Sequence, residues 1–171
     1  MTKASILELS PISEGESVKD ALEATVKIAR EAENLGFYRF WVAEHHNIPT
    51  IASSSNTVII GQILAATKKI KVGAGGVMLP NYSPLVVAEQ YGTLAQFYPH
   101  RVDLGIGRAP GSDINTVRAL GSLGKSSTDF PREVSELLRY LKGDQDELVN
   151  DIPAPEKTVH VSILGHGLMG A

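Results

Sequence analysis

Five short apolar runs, each followed by a stretch of helical spacing, limit this chain to a narrow set of folds. Residues 5–9, 40–43, 70–73, 102–106 and 159–164 read as strands. They are short and rich in apolar side chains, as strands covered on both faces are. Between the first two, Val18, Leu22, Val26, Ala29, Ala32 and Leu35 recur at helical spacing. Ser17 and Asp20 stand where a capping box closes the first turn, and Gly36 stops the helix. A second helix begins near residue 54. A third starts at Pro84, a residue suited to the first helical turn, and runs to about residue 97. A loop rich in Gly, Ser and Pro precedes a fourth helix over 130–141, and a polar connector over 143–157 leads to the last strand. Alternation of this kind predicts an α/β fold with a parallel sheet covered by helices. Periodicity leaves two architectures open, a doubly wound sheet or part of a (β/α)8 barrel. A complete barrel needs roughly 200 residues or more. With 171 residues the chain is expected to form one domain, 1–171, that cannot close such a barrel alone.

Composition removes several function classes. The net charge is −3, so no basic footprint for nucleic acid or an anionic membrane is visible. Cysteine is absent, which excludes disulfides and thiolate metal sites and accords with a cytoplasmic location. Residues 1–10 carry one lysine and a short apolar run broken by Glu8, unlike a secretory leader. No apolar stretch reaches the length of a membrane span.

In parallel α/β folds chemistry gathers at the carboxyl ends of the strands. After the second strand stand Glu44, His45, His46 and Asn47. Adjacent side chains at a strand end point apart, so the two histidines are not expected to share a metal, and no metal site is assigned. A histidine here suits general acid–base work, since it titrates near neutrality; a histidine held by ordinary hydrogen bonds is the other reading. After the third strand come Gly73, Ala74, Gly75 and Gly76. Backbone bare of side chains lets a flat ligand lie against it, but a β-bulge or tight turn uses the same residues. After the fourth strand, Gly105, Gly107 and Arg108 suit an anion such as phosphate, with a surface ion pair for Arg108 as the alternative. The spacing is not that of a dinucleotide fingerprint, and no G-x-S-x-G elbow is present.

Four blocks together resemble the luciferase-like flavin monooxygenase family. They are Phe40-Trp41-Val42-Ala43-Glu44-His45-His46-Asn47, then Val72-Gly73-Ala74-Gly75-Gly76-Val77-Met78-Leu79-Pro80-Asn81, then Ser83-Pro84-Leu85-Val86-Val87-Ala88-Glu89-Gln90, and last Arg101-Val102-Asp103-Leu104-Gly105-Ile106-Gly107-Arg108-Ala109-Pro110-Gly111. The run from Arg108 to Asp113 points to the alkanal-monooxygenase-like subgroup rather than to a light-emitting luciferase. The resemblance implies a C-terminally truncated (β/α)8 TIM-type barrel of about five strands and four helices. It implies reduced FMN supplied by a separate flavin reductase, with O2 and a small organic molecule as co-substrates. The related deazaflavin branch would use F420, and a non-catalytic flavin-binding module is a further possibility. By matching positions, His45 would be the catalytic histidine with Glu44 in support. Ala74, Gly75 and Gly76 would lie under the flavin ring, with a cis peptide bond at Gly75-Gly76. Arg108 would hold the phosphate. Two departures stand out. Strands six to eight are missing, and residues 165–171 lack the hydroxyls that the family uses for the phosphate, while Pro110 has no N–H to donate. Two open sheet edges and exposed apolar faces predict a homo-oligomer, formed through the second and third helices or through those edges.

Overall fold

A computed structural model describes residues 3–109, 112–124, 129–143, 149 and 159–165. Its order is β1 (Ser5–Glu8), α1 (Val18–Asn34), β2 (Arg39–Val42), α2 (Asn56–Ala66), β3 (Lys71–Met78), α3 (Pro84–Phe97), β4 (Val102–Gly107), α4 (Ile114–Ala119), α5 (Phe130–Lys142) and β5 (His160–Leu164). All four strand pairings are parallel, and the sheet runs β1-β2-β3-β4-β5 in chain order. Sequential parallel pairing without a reversal of order is the arrangement of a barrel wall; a doubly wound sheet reverses its strand order at a switch point. Strand order thus separates the two architectures that periodicity leaves open.

Local chemistry accounts for the element ends. Ser17 and Asp20 form the expected capping box, with the Asp20 N–H donating to Ser17 Oγ at 3.2 Å and the Ser17 N–H to Asp20 Oδ2 at 2.9 Å. Gly36 takes a positive φ of 78° just beyond the helix, where a side chain would be strained. Two elements differ from expectation. β3 continues through the glycines to Met78 instead of ending at Gly73. Its register against β4 shifts between Ala74 and Val77, so the expected irregularity is a bulge inside the strand. A fifth helix, α4, interrupts the loop before α5. Asp113 caps it, accepting the N–H groups of Asn115 at 2.9 Å and Thr116 at 3.2 Å. The connector over 143–157 lies outside the described residues apart from Gly143 and Val149.

The two faces of the sheet have different tasks. Phe40 and Val42 on β2, Val72 and Ala74 on β3, and Val102, Leu104 and Ile106 on β4 are buried in one cluster with Ala29, Ile60, Ile63, Leu64, Val87, Ala88, Tyr91 and Leu137 of the helices. Each such side chain withdrawn from water stabilises the fold by roughly 1.5–3 kcal/mol before entropy is counted. The opposite face carries Leu7, Arg39, Trp41, Lys71, Gly73, Gly75, Asp103, Gly105 and Leu164. Contacts fix that face: a Cβ on Gly75 would stand 2.9 Å from both Leu7 Cδ1 and Trp41 Cβ, and one on Gly105 would stand 2.8 Å from Leu164 Cδ1. Glu33 at the end of α1 accepts the N–H groups of Lys68, Lys69 and Ile70, and Arg101 donates to the carbonyls of Leu64, Thr67 and Ile70. These bonds anchor the amino-terminal side, so the carboxyl side is presented by a fixed scaffold.

Candidate active site

Because the strands are parallel, the segments that follow β2 and β4 and the carboxyl half of β3 share one end of the sheet. Hydrogen bonds tie the loops at that end together. Asn47 Nδ2 donates to Asp113 Oδ2 at 3.1 Å, and Ser112 Oγ to the His46 carbonyl at 3.5 Å, so the loops after β2 and β4 meet. Pro11 bridges Ile51, and the Ile12 N–H donates to the Thr50 carbonyl at 2.9 Å, which brings in the loop after β1. Buried Ser122 Oγ donates to Asn81 Oδ1 at 2.9 Å, adding the turn after β3.

Glu44 lies at the centre. Its carboxylate is fully buried. Oε1 accepts the Tyr82 phenol at 3.0 Å and pairs with His46 Nε2 at 2.9 Å. Oε2 accepts Asn56 Nδ2 at 3.2 Å and the Met78 N–H at 3.4 Å. Burial pushes the Glu44 carboxyl above its ordinary value, and the bonds from His46 and Tyr82 partly offset that. The same burial, with Glu44 beside it, pushes the Tyr82 phenol up, so Tyr82 stays a donor across the physiological range. Sequence reasoning does not find His46, Asn56 and Tyr82 as partners of Glu44. His46 is close in the chain, but Asn56 and Tyr82 lie 12 and 38 residues away, beyond the reach of any local spacing rule.

His45 follows directly. Its N–H donates to the Ser53 carbonyl at 3.2 Å, while its Nδ1 is buried with no hydrogen-bond partner among the described residues. A buried ring nitrogen without a partner is costly unless something else engages it. The Gly75-Gly76 peptide bond is cis. A Cβ on Gly76 would lie 2.5 Å from Leu164 Cδ1 and 2.8 Å from the Gly105 carbonyl oxygen, so no other residue fits there without displacement. The missing side chains let Leu7, Trp41 and Leu164 close over this stretch from the inner face. Ala74 points its methyl into the helix-facing core and offers only main chain to the rim. Arg108, just past β4, is exposed and makes no ion pair or hydrogen bond with any described residue. The surface ion pair considered for it is thus not found among those residues. Pro110 and residues 166–171, where the family resemblance implies a weakened part of the phosphate site, lie outside the described residues.

Comparison with known proteins follows the same lines. The family model for luciferase-like monooxygenase matches residues 3–144. A luciferase-like monooxygenase of Escherichia coli (strain K12) is 46% identical over 169 residues, covering 98% of this chain and 50% of that protein. The N-acetyl-S-alkylcysteine monooxygenase of Bacillus subtilis (strain 168) is 43% identical over 145 residues, covering 84% of this chain and 43% of that protein. The crystal structure of apo-MsnO8 superposes with a TM-score of 0.91 at 38% identity over 98% of this chain and 50% of that one. Two remoter structures share the fold alone. One is the FMN-bound oxygenating component of 3,6-diketocamphane monooxygenase from Pseudomonas putida, with a TM-score of 0.75 at 17% identity. The other is an F420-dependent secondary alcohol dehydrogenase, with a TM-score of 0.66 at 20% identity. The chain spans about half the length of the curated relatives it matches. Fold, rim and matched sequence agree that it belongs to the luciferase-like monooxygenase family.

Proposed function

We propose that this chain carries the flavin-facing part of an FMN-dependent monooxygenase that uses O2 to oxidise a small organic molecule. The observation that carries this reading is that the segments holding His45, Gly75-Gly76 and Arg108 share one end of a parallel sheet, where the loops after β2 and β4 are hydrogen-bonded to each other. The residues fit the cofactor in three respects. Arg108 is an exposed cation just past the carboxyl end of β4, with no partner among the described residues. The Gly75-Gly76 main chain carries no side chains and lies against the apolar Leu7, Trp41 and Leu164. The buried Nδ1 of His45 lacks a partner among the described residues. When bound, reduced FMN would supply the electrons that let one atom of O2 enter the substrate while the other leaves as water.

The chain's own part is binding, orientation and proton handling. Arg108 holds the phosphate by charge-assisted hydrogen bonds, and the Gly75-Gly76 peptide planes support the ring. His45 accepts or returns a proton at its imidazole, whose buried Nδ1 has no partner among the described residues. Glu44 holds the adjoining backbone and His46 in place. F420 in place of FMN is the second reading, supported by the fold shared with the F420-dependent alcohol dehydrogenase. Exposed Val58 and Val86 on α2 and α3, with the two sheet edges at β1 and β5, support self-association.

The test is oxygen uptake by the purified chain with FMN and an NAD(P)H:flavin reductase, repeated with F420 as competitor. Uptake above the reductase background, lowered at least tenfold by His45→Ala, is expected. Saturable FMN binding without such uptake would leave a flavin-binding module, and preference for F420 would move the chain to the deazaflavin branch.

A further inference from the structure

Glu44 is a fully buried acid whose partners, among the described residues, include no lysine or arginine. Four donors from four separate segments surround it: His46 in the loop after β2, Asn56 in the first turn of α2, the Met78 N–H at the end of β3, and Tyr82 in the turn before α3. Two of these, His46 and Met78, belong to the segments that carry His45 and Gly75-Gly76. The other two, Asn56 and Tyr82, reach the carboxylate from α2 and from the turn before α3.

We propose that Tyr82 and Asn56 are positioning residues: by fixing the two oxygens of Glu44 they set where the His46 imidazole and the Met78 N–H stand, and so the spacing between the histidine loop and the glycine stretch. The idea rests on the rim being the reaction site, but its physical core does not require a flavin. Each carboxylate oxygen accepts one bond from a scaffold side chain and one from a rim segment. Tyr82 shares Oε1 with His46, and Asn56 shares Oε2 with Met78. Losing either scaffold donor frees one oxygen to turn and slackens its rim partner.

Titratable groups facing Glu44 are His46 from its own loop, Tyr82 from the turn before α3, and Tyr91 from α3; α2 and β3 contribute the uncharged Asn56 amide and Met78 N–H. The phenol O–H favours the ionised carboxylate, so its removal raises the Glu44 carboxyl further. A crevice of about 260 Å3, lined by Ser55, Asn56, Thr57, Val58, Tyr82 and Gln90, adjoins both positioning residues.

The experiment is carboxyl-carbon NMR titration of the full chain labelled at glutamate, with the Glu44 resonance assigned by its loss in Glu44→Gln. Tyr82→Phe and Asn56→Ser should each move the Glu44 midpoint upward, while Tyr98→Phe, at the far end of the sheet, should not. In parallel, the amide signals of His46 and Met78 should broaden or shift in the first two variants only. An unchanged Glu44 midpoint in folded Tyr82→Phe, or an equal shift in Tyr98→Phe, overturns the assignment. Should Tyr82→Phe not fold, Asn56→Ser decides alone by the same criterion. The titration uses no cofactor, so it reads the positioning role whether or not FMN binds, and a negative titration would leave FMN binding as a separate result.

Discussion

Two carboxylates, Glu44 and Asp103, are equally hidden from water, yet they are held in opposite ways. Asp103 lies toward the amino-terminal side of the inner face. Its Oδ2 is paired with Arg39 Nε, and Lys71 Nζ stands 3.8 Å from Oδ1. The Arg39 guanidinium also lies 4.7 Å from the centre of the Trp41 ring and 5.2 Å from that of Tyr38. Two cations answer one acid, and the cluster braces β2, β3 and β4 where they begin. Glu44 sits at the other end with a phenol, an amide, an imidazole and a backbone N–H. Direct cationic pairing locks a charge in place. A shell of mainly neutral donors leaves the charge adjustable, as direct cationic pairing does not.

Breaking the brace should have the largest effect on stability. Asp103→Asn removes the countercharge from Arg39 and Lys71, whose side chains are only 17% and 29% exposed. The expected loss is about 3 kcal/mol, the size seen when one member of a buried pair is deleted. Urea unfolding measures it, and a loss below about 1 kcal/mol would mean that the cluster is dispensable.

Glu44→Gln probes the other carboxylate, and here the signature is dependence on pH. The folded carboxyl is raised above its ordinary value of 4.5, so the folded chain holds that proton more tightly than the unfolded one. Glu44's favourable contribution is fully present below 4.5 and is lost as pH rises through the raised folded value. Urea midpoints of the parent chain and of Glu44→Gln should therefore separate with rising pH, the parent falling relative to the variant. Midpoints that run parallel would remove the contrast with Asp103.

The smallest effect belongs to Lys71→Met. A partly exposed ammonium at 3.8 Å, with Arg39 still paired to the same acid, should contribute less than about 1 kcal/mol to stability. A larger loss would make Lys71, not Arg39, the main partner of Asp103.

The same contrast explains what can be read from the chain. The alternation of strands and helices, α3 beginning at Pro84 and the capping box at Ser17 are legible because each depends on residues within a few positions of one another, whereas the strand order rests on pairings such as Ser5 with Arg39 and is not. The short helix α4 has a local signal too, Asp113 followed three residues later by Thr116, but its few residues hide in a loop-like composition. β3 is longer than its composition implies, because tertiary pairing on both sides carries Gly75 and Gly76 through the sheet despite their weak strand preference. Of the candidate site, His45, the glycine stretch and Arg108 are visible as strand-end clusters. The shell around Glu44 is not, since Asn56 and Tyr82 reach it only through the packing of α2 and the turn before α3.

Whether the rim seats a phosphorylated flat ring can be asked by titrating the full chain with FMN and following the fluorescence of Trp41, its only tryptophan. Quenching should saturate, and Arg108→Ala should weaken binding about tenfold, the equivalent of one charge-assisted contact of about 1.4 kcal/mol. Quenching that never saturates, or an affinity untouched by loss of Arg108, would contradict it.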